Sequence, residues 1–98
     1  MEIEIIQSDK QVLRIAVSGK LDANAVGNHA WELTRLIDNA KTSVILDFSG
    51  VSYLSSLGIR MLLTTSKNIQ KKGKTLKVEN PSVETAKVMQ MAGLNMLL

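Results

Sequence analysis

VSYLSSLGIRMLL, residues 51–63, starts like a loop and finishes like a helix. Two serines, a leucine and a glycine stand at the changeover. A helix start leaves backbone N–H groups unpaired and carries partial positive charge. Either Ser55 or Ser56 suits the capping position, for about 1 kcal/mol. One serine meets that need, so the second is left without a structural task. Gly58 is equally unusual, because glycine in a first turn costs roughly 1 kcal/mol relative to alanine. A close approach there, by the chain itself or by a partner, would justify it.

The pattern extends outward from this point in both directions. The helix is expected from Ser56 to Lys72, with Ile59, Leu62, Leu63, Ser66 and Ile69 on its core face. Gly73 ends it. Leu57 and Met61 are four apart and either widen that face or form an exposed apolar strip beside the serines. Arg60, Thr64, Lys67 and Lys71 make the polar stripe. Upstream, SVILDF (residues 43–48) is a β-rich run that ends before the loop. Residues 24–40 show helical spacing at Val26, Ala30, Leu33, Ile37 and Ala40, capped by Asp22 or Asn24.

The N-terminal third reads as a hairpin. Glu2 to Ile6 alternates as a half-buried strand, Ser8 to Gln11 forms the turn, and Leu13, Ile15 and Val17 face one way on the return strand. Beyond Gly73, Thr75 to Glu79 is a short strand with Leu76 and Val78 inward. Asn80-Pro81 is expected to open a third helix that Gly93 closes. The element order is therefore ββαβαβα. Strands joined through helices should be parallel, with right-handed crossovers. Arg14 and Lys77 alternate with apolar neighbours, so one sheet face is expected to be wet and the helices to share the other. The expected fold class is a small α/β domain with a four-stranded mixed sheet, spanning residues 1–98 as one unit.

Composition narrows the functional classes. The chain has 98 residues, no cysteine and one histidine, which removes disulfide frameworks, thiolate metal sites and His-rich clusters. MEIEIIQSDK carries acids where a secretory signal carries bases, and no run is long enough to span a membrane, so a cytoplasmic protein is expected. The formal net charge is +3, with bases concentrated at Arg60, Lys67, Lys71, Lys72, Lys74 and Lys77. Without interleaved aromatics these read as a solvated helix face and turn rather than a nucleic-acid surface. His29 has no sequence-adjacent nucleophile and reads as a surface residue. Asp22 and Asp47 read as capping or turn-bonding aspartates rather than a paired acid and base. Trp31 is expected to be a partly buried anchor. Met89, Met91 and Met96 are expected to fill core space under the last helix.

DFSGVSYLSSLGIRMLL, residues 47–63, resembles the signature of the STAS domain family, the anti-sigma factor antagonists. In that pattern a strand ends in Asp, a loop carries small residues and Val, and an Asp-Ser-Ser/Thr-Gly stretch opens a helix. GKLDANA (residues 19–25) is similar to the family's Gly-x-Leu-Asp turn, and Ala92-Gly93-Leu94 to its ending. The resemblance implies that Ser56 is the serine phosphorylated by a partner kinase. Gly58 matches the family glycine, and Asp47 and Asp22 its strand-end aspartates. Ser55 stands where switch members usually carry Asp, and Leu57 where they carry a second Ser or Thr.

It further implies a non-enzymatic bacterial signalling protein without a cofactor of its own, acting in transcription regulation. Its partners would be an anti-sigma factor serine kinase that itself binds ATP and a cognate serine phosphatase, with neither nucleic acid nor direct membrane insertion involved. The expected partner surface is Asp22, Ala23, Asn24, Ser55, Ser56, Leu57, Gly58, Arg60 and Met61. A phosphorylation-independent interaction module of the same fold, such as an accessory subunit of a membrane transporter or of a signalling assembly, is the alternative.

Overall fold

The computed structural model describes residues 1–98. Strands β1 (Glu2–Ser8) and β2 (Val12–Leu21) lead into helix α1 (Ala23–Asp38). Strand β3 (Ser43–Leu54), helix α2 (Ser56–Gln70), strand β4 (Leu76–Glu79) and helix α3 (Val83–Met91) follow, and a 3-10 turn covers Asn95–Leu97. The sheet order is β1-β2-β3-β4. β1 is antiparallel to β2, and the two helix-connected pairs are parallel, as the crossover rule requires.

One face of the sheet carries the core. Leu13, Ile15 and Val17 of β2, Val44, Leu46 and Phe48 of β3, and Leu76 and Val78 of β4 are all buried. Against them pack Val26, Leu33 and Ile37 of α1 and Leu62 and Ile69 of α2, with Met89, Leu94 and Leu97 from the C-terminal segment. The other face carries Arg14, Asp47, Lys77 and Glu79, none of them buried. Arg14 there bridges β2 to Glu79 of β4 as the chain's one ion pair and donates its Nε–H to Gln7 of β1.

Several expectations need correction. β3 does not stop at Phe48 but runs to Leu54, because the segment expected to be a loop remains paired with β2. Between Asp47 and Gly50, and again between Val51 and Tyr53, β3 carries one more residue than β2. These bulges change the burial period from two to three (Phe48, Val51, Leu54), which hides the strand in the sequence. In β1 a bulge at Ile6 leaves Ile5 and Ile6 about half exposed, so Ile3 alone of this strand's isoleucines packs on the core. Asn80-Pro81 does not start α3. Asn80 takes a left-handed φ of 56°, and Ser82 is the cap, its hydroxyl accepting the Thr85 N–H at 3.0 Å. Leu63 is exposed, while Thr65 is buried on α2 with its hydroxyl donating to the Met61 carbonyl. Met89 fills the core, but Met91 and Met96 face outward. Trp31 is 62% exposed and stacks against Arg35 instead of anchoring the core.

Candidate functional site

The two serines have separate tasks. Ser55, in extended backbone, is the cap: its Oγ accepts the Gly58 N–H at 3.2 Å. Its own N–H donates to the Leu21 carbonyl at 3.0 Å, which ties the start of α2 to the end of β2. Ser56 is then the first helical residue, and it is exposed. Its hydroxyl stands at the positive end of a helix that has no acid in its first turn.

Gly58 is buried, and the close approach it permits is internal. A Cβ there would lie 2.7 Å from Leu54 Cδ1 and 3.4 Å from the Leu21 carbonyl oxygen. Gly58 therefore supports the site from beneath and is not part of its surface, contrary to the expectation. Met61, only 8% exposed, contributes from below, as part of the floor between the helices. Leu57, at 36%, is the exposed member of that pair, and Arg60 projects beside it.

Leu21 and Leu54 are register partners, so α1 and α2 begin side by side. Asp22 caps α1, its carboxylate accepting the Ala25 N–H at 2.9 Å, and leaves Ala23 and Asn24 exposed in the first turn. The expected surface thus assembles as Asp22, Ala23, Asn24, Ser55, Ser56, Leu57 and Arg60. Sequence reasoning missed its continuation, a shallow groove of about 320 Å³ between the helices, lined on the α1 side by Val26, Gly27 and Ala30. The available signal was Gly27, an exposed mid-helix glycine whose absent Cβ would meet nothing within 4 Å.

Asp47 lies elsewhere. It sits mid-strand opposite Ala16, and its carboxylate accepts the Ser49 N–H at 3.0 Å at the first β3 bulge. That backbone bond outweighs the opposing effect of burial and, with lesser help from the Ser49 and Asn80 side chains and from Arg14, holds its pKa below the ordinary 3.8. A carboxylate held ionised is the reverse of a raised general acid. His29 and Glu32 of α1 border a second depression, with Glu4 of β1 and Ser18 of β2.

Comparison with known proteins bears on this geometry. The family model described as "Mlab, STAS domain" matches residues 5–98. Among curated proteins there is no significant match. The chain superposes on the anti-sigma factor antagonist SpoIIAA in its unphosphorylated form with a TM-score of 0.81 at 22% identity, covering 98% of this chain and 84% of that one. For the Bacillus cell fate determinant SpoIIAA in its phosphorylated form the score is 0.74 at 24% identity, covering 98% and 87%. An anti-sigma factor antagonist from Mycobacterium paratuberculosis gives 0.75 at 18% identity, covering 97% and 81%. At these identities the superpositions establish a common fold.

Proposed function

The chain belongs to the STAS domain family, and from that premise we propose that it is an anti-sigma factor antagonist switched by phosphorylation of Ser56. The unmodified protein binds an anti-sigma factor kinase through the Asp22–Asn24 turn, Ser56, Leu57, Arg60 and the groove between α1 and α2. Binding sequesters the kinase and releases a sigma factor. The kinase, carrying the ATP, phosphorylates Ser56, and a serine phosphatase resets it. The role is one of binding and not of catalysis.

The observation that supports this reading is the division of labour at the start of α2. Ser55 does the capping, so the exposed Ser56 hydroxyl can be modified at no cost to the helix. A phosphate there adds about −1.5 to −2 charges at a helix end that accepts anions. The fold tolerates it, and the docking surface does not. A partner would have to bury a hydrated dianion beside Leu57, and a penalty of ~4 kcal/mol weakens binding about a thousandfold.

The test is incubation with a candidate anti-sigma kinase and ATP, followed by phosphate mapping and by capture with Ser56→Ala and Ser56→Asp. Phosphate at Ser56, and capture by Ser56→Ala alone, are the expected results. A kinase that binds yet modifies only other residues, or none, defeats the switch. One feature favours a second reading, a constitutive interaction module. Ser55 and Leu57 stand where switch members carry an acid and a second hydroxyl, and Leu57 gives the patch an apolar centre. Equal capture by both Ser56 variants would support that module.

A further inference from the structure

The end of the molecule opposite Ser56 concentrates the positive charge. β2, β3 and β4 all start there, as the pairings Val12↔Ser43 and Val44↔Leu76 require, and both long helices finish there. The three turns at that end carry Lys10, Lys41, Lys71, Lys72 and Lys74, against the carboxylates Asp9 and Asp38. Five lysines less two carboxylates give +3, the formal net charge of the entire chain, so the remainder is neutral. Hydrogen bonds tie the turns together: Thr75 N–H donates to Ser43 Oγ at 3.2 Å, and Lys72 Nζ donates to the Asp38 carbonyl.

Compensation of helix dipoles accounts for only part of this. Helix C-termini favour nearby cations, and Lys72 serves α1 in that way. Lys10, however, is in a hairpin turn and Lys74 leads into a strand. No lysine of the chain takes part in an ion pair. Asp9 is engaged by the Gln11 and Val12 N–H groups and by Gln7.

Apolar groups flank the lysines. The β1 bulge leaves Ile5 and Ile6 at 48% and 47% exposure, a few residues from Lys10. Ile5 also borders a cleft of about 400 Å³ that it shares with Leu36, Ala40 and Lys41. We propose that this basic pole, with Ile5 and Ile6, adsorbs the protein peripherally to an anionic lipid bilayer.

Geometry and composition favour a bilayer over nucleic acid. None of Trp31, Phe48 and Tyr53 lies in these turns to stack on bases. No helix N-terminus points out of this end to cradle a single phosphate. Exposed isoleucines beside lysines suit the boundary between headgroups and acyl chains, where both contributions add. Each lysine near an anionic leaflet adds to the attraction, which salt screens.

The test is co-sedimentation of the whole chain with vesicles of phosphatidylcholine, with or without phosphatidylglycerol, at low and high salt. Binding is expected only with phosphatidylglycerol and should fall as salt rises. Replacing Lys10, Lys41, Lys71 and Lys74 together by glutamine should weaken it roughly a hundredfold or more. Replacing Lys20 and Lys87 by glutamine should leave it unchanged, as should Ser56→Asp, so the outcome does not depend on the switch. Ile5→Ser with Ile6→Ser should weaken what survives at high salt. Three results would overturn the proposal: no sedimentation with anionic vesicles at low salt, equal binding to neutral vesicles, or tighter retention on duplex DNA that ignores the isoleucines.

Discussion

Three glycines of this chain lack a side chain for three different reasons. A Cβ on Gly27 would touch nothing, yet the residue sits inside α1, where glycine costs about 0.8–1.0 kcal/mol relative to alanine. Gly27→Ala should therefore stabilise the fold by roughly that amount, read as a higher urea midpoint. Gly50 differs, because a Cβ there would come within 2.7 Å of Ser18 Cβ on the neighbouring strand, an atom held by the backbone. Gly50→Ala should cost roughly 1–3 kcal/mol. Parent-like stability of that variant would mean that Ser18 and Gly50 are not register partners. Gly58 falls between the two, since the atom in its way is the terminal methyl of Leu54, which can swing aside. Folding gives no reason to keep Gly27, whereas the groove between α1 and α2 does. Gly27→Phe should leave the urea midpoint close to that of the parent while filling the groove, and loss of partner capture would check this.

At the scale of the element, α2 combines a cap, a packing contact and a modifiable hydroxyl in its first three positions. Ser55→Ala removes the Oγ that holds the Gly58 N–H and should destabilise by about 1 kcal/mol. Ser56→Asp should do the opposite. A carboxylate at the first helical position meets the positive end of the dipole and should stabilise by about 0.3–1 kcal/mol. Opposite signs at neighbouring serines, measured by denaturant unfolding, would separate capping from charge. If Ser56→Asp unfolds the protein, loss of partner binding in that variant reflects damage and not switching. Elements that obey one period were legible in the sequence, including β2, both long helices and the inward Leu76 and Val78 of β4. The second half of β3 was not, because two bulges break the alternation that identifies a strand. The site was legible through its serines and Gly58, but not in depth. Helical spacing places Met61 next to Leu57, and only the packing of α1 against α2 decides that Met61 is covered. The start of α3 was misread for a related reason. Asn80-Pro81 carries the right residues for a cap, but Asn80 Nδ2 is directed toward the Asp47 carboxylate and the chain turns before Ser82.

For the whole molecule, cohesion depends on one core over one sheet face, and on the polar bonds that fix where the bulged strands lie across it. Two carboxylates hold those bonds in their ionised form. Asp9 closes the β1–β2 turn, and its pKa is lowered by the Gln7 side chain and the Gln11 and Val12 N–H groups. Asp47 spans the first β3 bulge and reaches the Asn80 side chain beyond β4, with its pKa lowered chiefly by the Ser49 N–H. A carboxylate with a folded-state pKa below its unfolded value binds protons more readily when unfolded. Its contribution to stability is complete above the ordinary value of 3.8 and is lost as pH falls through the lower folded value. The urea midpoint should therefore be insensitive to these two groups near neutrality and should fall on acidification below that point. Asp47→Asn removes one titrating group and keeps its shape, so it should be less stable than the parent at neutral pH and converge with it in acid. Circular dichroism unfolding curves for both proteins, from neutral pH down to the carboxylate range, provide the measurement. Parallel curves with a constant gap would mean that the Asp47 charge does nothing for the bulge. The bend that carries Ser55 to the end of β2 would then be held by the packing of Val51 and Leu54 and by the bond from the Ser55 N–H to the Leu21 carbonyl.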